Sequence, residues 1–429
     1  VFWKLDVHTG AVVLSLSRIP AIKWRYIAYV ALMGGASGLL GFGEVVGRKS
    51  LSASPLAITV LTMIAPFAAS SSLWWARLLT GRDQRKFVLL FGLAGFASVA
   101  SGLALASVGH LLLIWLLYHF FVNGLFGQAE NRILQQHIPP DKTGQTYGLA
   151  QSAGMVIAAI TAFFAGSYMD HIAGGYRHLF GVLALFGLGA VALLGTIPAS
   201  RATGEKQGLS KELVYRPLTD MLKLLKARPD FLRFETAFML YGVAFMMLLP
   251  VLPLYLVDDL KFGYQQIGLA RGTIFTLAMI ITVQLFGRLF DRTTPHRMGI
   301  GIFFLLAFYP LGLLLALQFE GLLRLVLVYA AFALFGIAMS GLVVLWNLSS
   351  IRFSGGEDSN VYQSVHVYAT SVRGAFAPLV GLAVMSIFGR PTALAVSSGM
   401  WILASFMMYY MRRVDIRKGD FRPLRAKMK

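Results

Sequence analysis

Residues 287–299 read GRLFDRTTPHRMG, a charged connection set between two apolar stretches. Neither 272–286 nor 298–319 holds a charged residue, whereas the connection carries Arg288, Asp291, Arg292, His296 and Arg297. A hydrocarbon core is crossed by about 20 apolar residues in helical form. The stretch therefore reads as a tight turn joining two membrane spans, with its charges at the water interface.

The rest of the chain has the same character. Of its 429 residues, 57% are hydrophobic and 13% are charged, with a mean hydropathy of +0.69. Soluble domains carry about 25% charged residues, so the bilayer is the solvent these numbers suit. Twelve windows are apolar enough to span it: 26–46, 54–79, 87–108, 111–136, 145–168, 178–197, 232–256, 265–288, 298–318, 322–347, 360–388 and 392–411. Cysteine is absent, which excludes a disulfide framework and a thiolate metal site. Before Trp24 the only apolar run is 11–16, too short for a span and without a small-residue cleavage pattern, so no signal peptide is expected.

An even number of spans places both termini on one side. Connections on that side hold 30 Lys and Arg and the alternate connections hold seven, with Arg373 inside a span. Positive residues stay on the cytoplasmic side, which predicts a multi-pass protein of the plasma (inner) membrane with both termini in the cytoplasm. The formal charge of +19 is then mostly topology, and nucleic acid is not an expected partner.

The only long connection, 198–231, divides the windows six and six. The expected organisation is a cytoplasmic segment 1–25, a bundle 26–197, a linker 198–231, a second bundle 232–411 and a basic tail 412–429. In the linker, Pro217 can open a short helix with Leu218, Met221, Leu222 and Leu225 on one face, as in a helix lying at the membrane surface. It serves either as a simple connector or as a regulatory contact. The halves also resemble each other. ARLLTGRDQRKF (76–87) aligns with GRLFDRTTPHRM (287–298) at an offset of 211. TYGLAQSAGMVIAAITAFFAG (146–166) aligns with VYQSVHVYATSVRGAFAPLVG (361–381) at an offset of 215, matching Tyr147 with Tyr362 and Gly166 with Gly381. Parallel repeats of six spans imply two bundles around a central site.

Gly287-Arg-Leu-Phe-Asp291-Arg292, followed by Arg297, resembles the G-x-x-x-D-R-x-x-x-R signature of the major facilitator superfamily between spans 8 and 9. The copy in the first half is degraded: Ala76, Thr80 and Gly81 stand for Gly, Asp and Arg, while Arg85 and Lys86 remain. IPPDKTGQTYG (138–148) resembles the family's connection between spans 4 and 5. The chain departs from the drug–proton antiporter branch. Span 5 reads Gly154-Met-Val-Ile-Ala158-Ala159 without the usual proline, and His119 stands where an Arg is often found in span 4. The resemblance implies an all-α membrane protein of twelve helices in two pseudo-symmetric bundles. It also implies that Asp291 latches onto the start of span 5, around 143–147, when the cytoplasmic side is closed.

Charged groups in the bilayer core cost at least ~2.5–3.5 kcal/mol each, so each needs a reason. In span 4, His119, Asn123 and Glu130 fall within about 40° of one helix face, and in span 11 Tyr362, His366, Thr370 and Arg373 fall within about 80°. Both stripes are expected to face a wet cavity, which by resemblance is lined by spans 1, 4, 7 and 10 and flanked by 2, 5, 8 and 11. Arg373 is the candidate contact for a substrate. Glu130, His119 and His366 are candidates for proton coupling, although Glu130 can instead pair with Arg132 or Lys142 and His119 can be a satisfied core histidine. Tyr241, Trp346 and Asn347 lie on lining spans and serve the cavity or only packing. Glu44 is expected to pair with Arg48, and Arg271 to reach outward to the interface. The Gly-rich run 34–43 lies within a span and reads as close helix packing. No metal spacing, phosphate loop or nucleophile motif appears, so no enzyme activity and no cofactor are expected.

The sequence thus predicts a monomeric secondary transporter with a small-molecule substrate, the lipid bilayer and protons as its partners. The excess of deep Arg and His over acids suits an anionic or amphipathic solute. A lipid or lysolipid translocator and a non-transporting scaffold or assembly factor are the rival readings.

Overall fold

The computed structural model describes residues 19–70, 84–123, 137–197, 212–355 and 359–418, and no β-strand occurs among them. Ten helices are long and apolar enough to cross a membrane: Ala21–Lys49, Arg85–Ala104, Gln145–His171, Gly175–Thr196, Pro229–Asp259, Tyr264–Arg292, Pro295–Leu317, Gly321–Ser354, Val365–Phe388 and Arg390–Arg417. Two shorter apolar helices, Pro55–Ala69 and Val108–Val122, fall where the second and fourth windows were placed. Together they give twelve spans in the expected order. Helices are required here because hydrocarbon offers backbone amides and carbonyls no partner outside their own segment. Side chains such as Leu185, Ile281, Leu322, Ile387 and Phe406 are 66–75% exposed, which suits lipid and not water.

The helix contacts repeat between the halves. Span 1 packs on spans 5 and 6 and span 3 on span 6; likewise span 7 packs on spans 11 and 12 and span 9 on span 12. The two halves then meet through spans 2 and 11 and through spans 5 and 8, which the repeat exchanges. Small residues set these distances. A Cβ on Gly34 would lie 2.1 Å from the Gly154 carbonyl oxygen, and one on Gly381 would lie 2.0 Å from that of Met247. The close packing read from 34–43 is therefore present. Buried hydroxyls cross-brace the second half: Ser397 donates to the Ala244 carbonyl at 2.9 Å, Ser398 to that of Ala307 at 2.7 Å, and Ser405 to that of Ile300 at 2.8 Å.

Two expected boundaries shift. The linker helix runs Glu212–Ala227, so Pro217 lies inside it and does not open it. Met221, Leu224 and Leu225 pack on the core, while Leu222 is 54% exposed; the buried face is rotated from the one expected. The helix of span 12 continues through Lys418, so 412–418 belong to the bundle and not to a tail. The reason is Asp415, which is fully buried. Its carboxylate accepts from Arg233 Nε at the start of span 7 and lies 3.2 Å from His296 Nε2 at the start of span 9. Thr294 caps that helix by accepting from the Arg297 N–H, with Pro295 at its first turn.

Removing one member of a buried ionic cluster leaves the others uncompensated, at a cost of roughly 3–5 kcal/mol. Asp415→Ala should therefore lower the thermal unfolding temperature of the detergent-purified protein clearly. An unchanged melting curve would show that the cluster does not hold spans 7, 9 and 12 together.

Candidate functional site

The polar stripe of span 11 faces span 7. Tyr362 accepts from Arg228 Nη1 at 2.7 Å, and Arg228 is itself paired with Asp230 at 2.9 Å. One turn further, His366 donates from Nδ1 to Glu235 Oε1 at 2.7 Å. The imidazole is fully buried and lies against Phe238 at 4.5 Å and Trp346 at 5.3 Å between ring centroids. Arg373 donates from Nη1 to the Phe238 carbonyl at 3.2 Å and from Nη2 to Thr370 Oγ1 at 2.8 Å. Its guanidinium sits 5.6 Å and 5.9 Å from the ring centroids of Phe238 and Tyr241, within reach of cation–π attraction. Glycine at 242 makes room for it, since a Cβ there would lie 2.3 Å from Arg373 Nε.

This corrects one expectation. His366, Arg373 and Tyr362 are 0%, 3% and 1% exposed, so they are enclosed between spans 7 and 11 and do not stand in an open cavity. A stripe of polar groups needs partners once out of water, and span 7 supplies them from its backbone and from Glu235. That residue is missing from the sequence reading. It is 6% exposed and sits one turn inside span 7, in FLRFETAF. An acid at that depth is itself the signal that could have found it. Glu235 Oε2, His366 Nε2 and Arg373 Nε are enclosed without a hydrogen-bond partner.

The other candidates fall in different places. Tyr241 stacks on Phe303 at 4.7 Å with an interplanar angle of 4°, and its carbonyl accepts from Trp401 at 3.1 Å, so it serves the core as well as Arg373. Asn347 is exposed and donates to the Val343 carbonyl of its own helix at 2.8 Å. His119 opens a π-helical turn, His119–Asn123. It is 6% exposed and sits against Trp115 and Tyr118, in a turn that packs on spans 2 and 3. The side chain of Asn123 and the whole of Glu130 lie outside the described residues.

The face on which the chain's described ends lie is here the terminal face, and the opposite one the far face. At the far face the halves are joined by polar contacts. Arg48 binds Asp258 at 2.9 Å, Ser50 shares a 2.5 Å hydrogen bond with Tyr264, and Arg271 lies 3.6 Å from Glu44. Glu44 and Arg48 thus each find a partner in the other half and not each other, and Arg271 is turned to Glu44. Asp170, at the end of span 5, accepts the N–H groups of Tyr264 and Gln265 at the start of span 8, at 2.9 Å and 2.7 Å. At the terminal face Asp291, Arg292 and Arg297 are exposed, and a Cβ on Gly287 would meet nothing within 4 Å. Asp291 makes no ion pair among the described residues.

The family model for the Major Facilitator Superfamily matches residues 19–378. The chain belongs to that superfamily. It is a membrane solute transporter and not an enzyme. A search of the curated proteins gave no match. Among solved structures, the MFS chain resembles a bacterial homologue of the human lysosomal transporter Spinster, in an inward-facing and unoccupied conformation. That pair shares 13% identity with a TM-score of 0.70, over 96% of this chain and 100% of the other. The nucleoside transporter NupG gives 12% and 0.68, over 93% and 100%. The inward-open xylose transporter XylE from E. coli gives 15% and 0.65, over 92% and 96%. At these identities the likeness concerns the fold.

Overfilling an enclosed site costs about 1–3 kcal/mol. Gly242→Ala should therefore destabilise the protein by forcing Arg373 aside. Gly301→Ala, where a Cβ meets nothing within 4 Å, should be neutral or slightly stabilising. Equal melting temperatures for the two variants would show that Arg373 is not clamped by span 7.

Proposed function

We propose that this MFS transporter moves a small organic monoanion together with a proton, by alternating access, through a site centred on Arg373, Glu235 and His366. The observation that carries the reading is the enclosed cluster with three polar atoms lacking hydrogen-bond partners. Each unfilled buried group costs about 1–3 kcal/mol, so the working site holds something that fills them.

The charges suggest what that is. With His366 neutral, the Glu235 carboxylate and the Arg373 guanidinium cancel. A proton taken up by the Glu235–His366 pair leaves a net positive charge, which an anion neutralises. The empty site and the site loaded with both proton and anion are then neutral, and a half-loaded site is not. Net charge away from water costs several kcal/mol, so proton and anion favour each other's binding reciprocally. This is symport. The excess of Lys and Arg on the side of the termini supports a cytoplasmic terminal face in a plasma (inner) membrane. The contacts at the far face, with Asp291 exposed, support an inward-open state; the latch from Asp291 to 143–147 then belongs to the opposite state.

The test is uptake into proteoliposomes from a panel of monoanions, cations and neutral solutes, with the outside made acidic. A monoanion should accumulate without moving net charge. Glu235→Gln should abolish accumulation driven by the pH gradient yet retain exchange of the same solute. Arg373→Ala should lose both by at least about tenfold, the cost of one charge-assisted hydrogen bond. Intact transport in Arg373→Ala would overturn the site assignment. A single cysteine at Thr273, which bridges the halves through the Ala159 carbonyl at 3.0 Å, should change its labelling rate with pH and solute. A constant rate would instead favour a scaffold.

A further inference from the structure

Inside the second half, among spans 7, 8, 9, 10 and 12, lies a cavity of about 180 Å³. Its wall is largely aromatic: Phe245, Phe275, Phe332, Phe335 and Trp401, with Leu252. Phe335 is the centre of this box, with Tyr309 stacked on it at 4.3 Å, Phe275 at 5.1 Å and Phe245 at 6.2 Å between centroids. Every lining residue belongs to one half, so the cavity is not the cleft between the halves. Phe245 lies one turn beyond Tyr241 on span 7, which sets the cavity apart from the Arg373 cluster.

Two polar groups enter it. Tyr309 is 2% exposed, and its hydroxyl has no hydrogen-bond partner. Arg271 presents Nη1, buried and likewise without a partner, while its Nη2 lies 3.6 Å from Glu44 of span 1 in the other half. An apolar cavity of ~150 Å³ accommodates benzene, so this one has room for a single aromatic ring or a comparable short chain. Both unfilled groups offer hydrogens and one is a cation, so the polar end of an occupant must accept and carry negative charge.

The geometry points to a second binding site, separate from the transport cluster, for a carboxylate borne on one aromatic ring or short apolar chain. The ring enters the box around Phe335 and the carboxylate meets Arg271 and Tyr309. Such a carboxylate competes with Glu44 for Arg271. Occupancy therefore loosens a contact between the halves at the far face, and by linkage an opened far face binds the occupant more tightly.

The experiment measures equilibrium binding of 3-phenylpropionate to the purified full chain in detergent, with 3-phenylpropanol as the uncharged probe. The acid should bind at least about tenfold more tightly than the alcohol, and Arg271→Gln should erase that difference. Leu252→Trp should abolish binding by filling the cavity. Tyr309→Phe, which keeps the ring stack, should weaken it by about three- to tenfold. Glu44→Gln should tighten it, a gain that loss of structure cannot produce. Arg373→Gln should leave it unchanged, whatever that variant does to transport. Binding that survives Leu252→Trp, or that ignores Arg271→Gln, overturns the site. Binding lost in Arg373→Gln places the probe in the transport cluster and overturns it equally.

Discussion

Arg373 can lie between spans 7 and 11 only because Gly242 has no side chain and because the backbone of span 7 offers the Phe238 carbonyl at the right height. A guanidinium in hydrocarbon has no water to fall back on, so its neighbours are chosen by its needs. Thr370 supplies an acceptor one turn away, and Phe238 and Tyr241 supply ring faces. Glu235 and His366 form the next layer, on the same two helices. Tyr241 in turn is fixed by Phe303 and by Trp401, which carries the constraint into spans 9 and 12. The site is thus wired into the second half alone, and that half moves as the carrier of the charge.

The contact of Asp170 with the start of span 8 gives the far face the device that the signature in 287–297 implies for the terminal face. In both, an acid at the end of one span meets the exposed amides at the start of another, where the helix dipole is positive. Asp170 ends span 5 and serves span 8; Asp291 ends span 8 and would serve span 5. The internal repeat accounts for this reciprocity, because it exchanges the span 5–8 contact with the span 11–2 contact. One acid is engaged in this structure and the other is free in solvent. A pair of latches that cannot both close is what a two-state carrier needs.

The twelve spans and the division at 198–231 were legible in the sequence, because hydropathy over some twenty residues reports a solvent. The facing of Tyr362, His366, Thr370 and Arg373 was legible too, from helical periodicity. Partners were not. Periodicity says which side of a helix is polar and is silent on what stands opposite, so Glu235 was overlooked and the stripe was read as lining open water. Glu44 was assigned to its neighbour Arg48 because i, i+4 pairs are the only ones a sequence displays; the true partners, Arg271 and Asp258, are more than 200 residues away. Asp415 was lost among the basic residues of the last segment for the same reason. His119 could be read as either core or cavity, and its surroundings within spans 2, 3 and 4 suit the core.

Polar contacts in this protein divide by their access to water, and the division follows the moving parts. Between the halves, the side chains of Arg48 and Asp258 are 28% and 16% exposed and those of Arg271 and Glu44 are 24% and 18% exposed. Water can replace each partner as the face opens, so such contacts are worth only about 0–1 kcal/mol apiece. Within the second half, Asp415 and His296 are 0% and 2% exposed, and breaking a cluster of that kind costs roughly 3–5 kcal/mol. A carrier whose two states must stay within a few kcal/mol of each other cannot seal its gate with dry ion pairs, since a few of them would hold it shut. It can use dry pairs freely inside a body that never comes apart. The same sequence therefore places weak, wettable pairs where the halves separate and strong, enclosed ones where they do not, and that placement makes each half rigid while leaving the boundary between them free to switch.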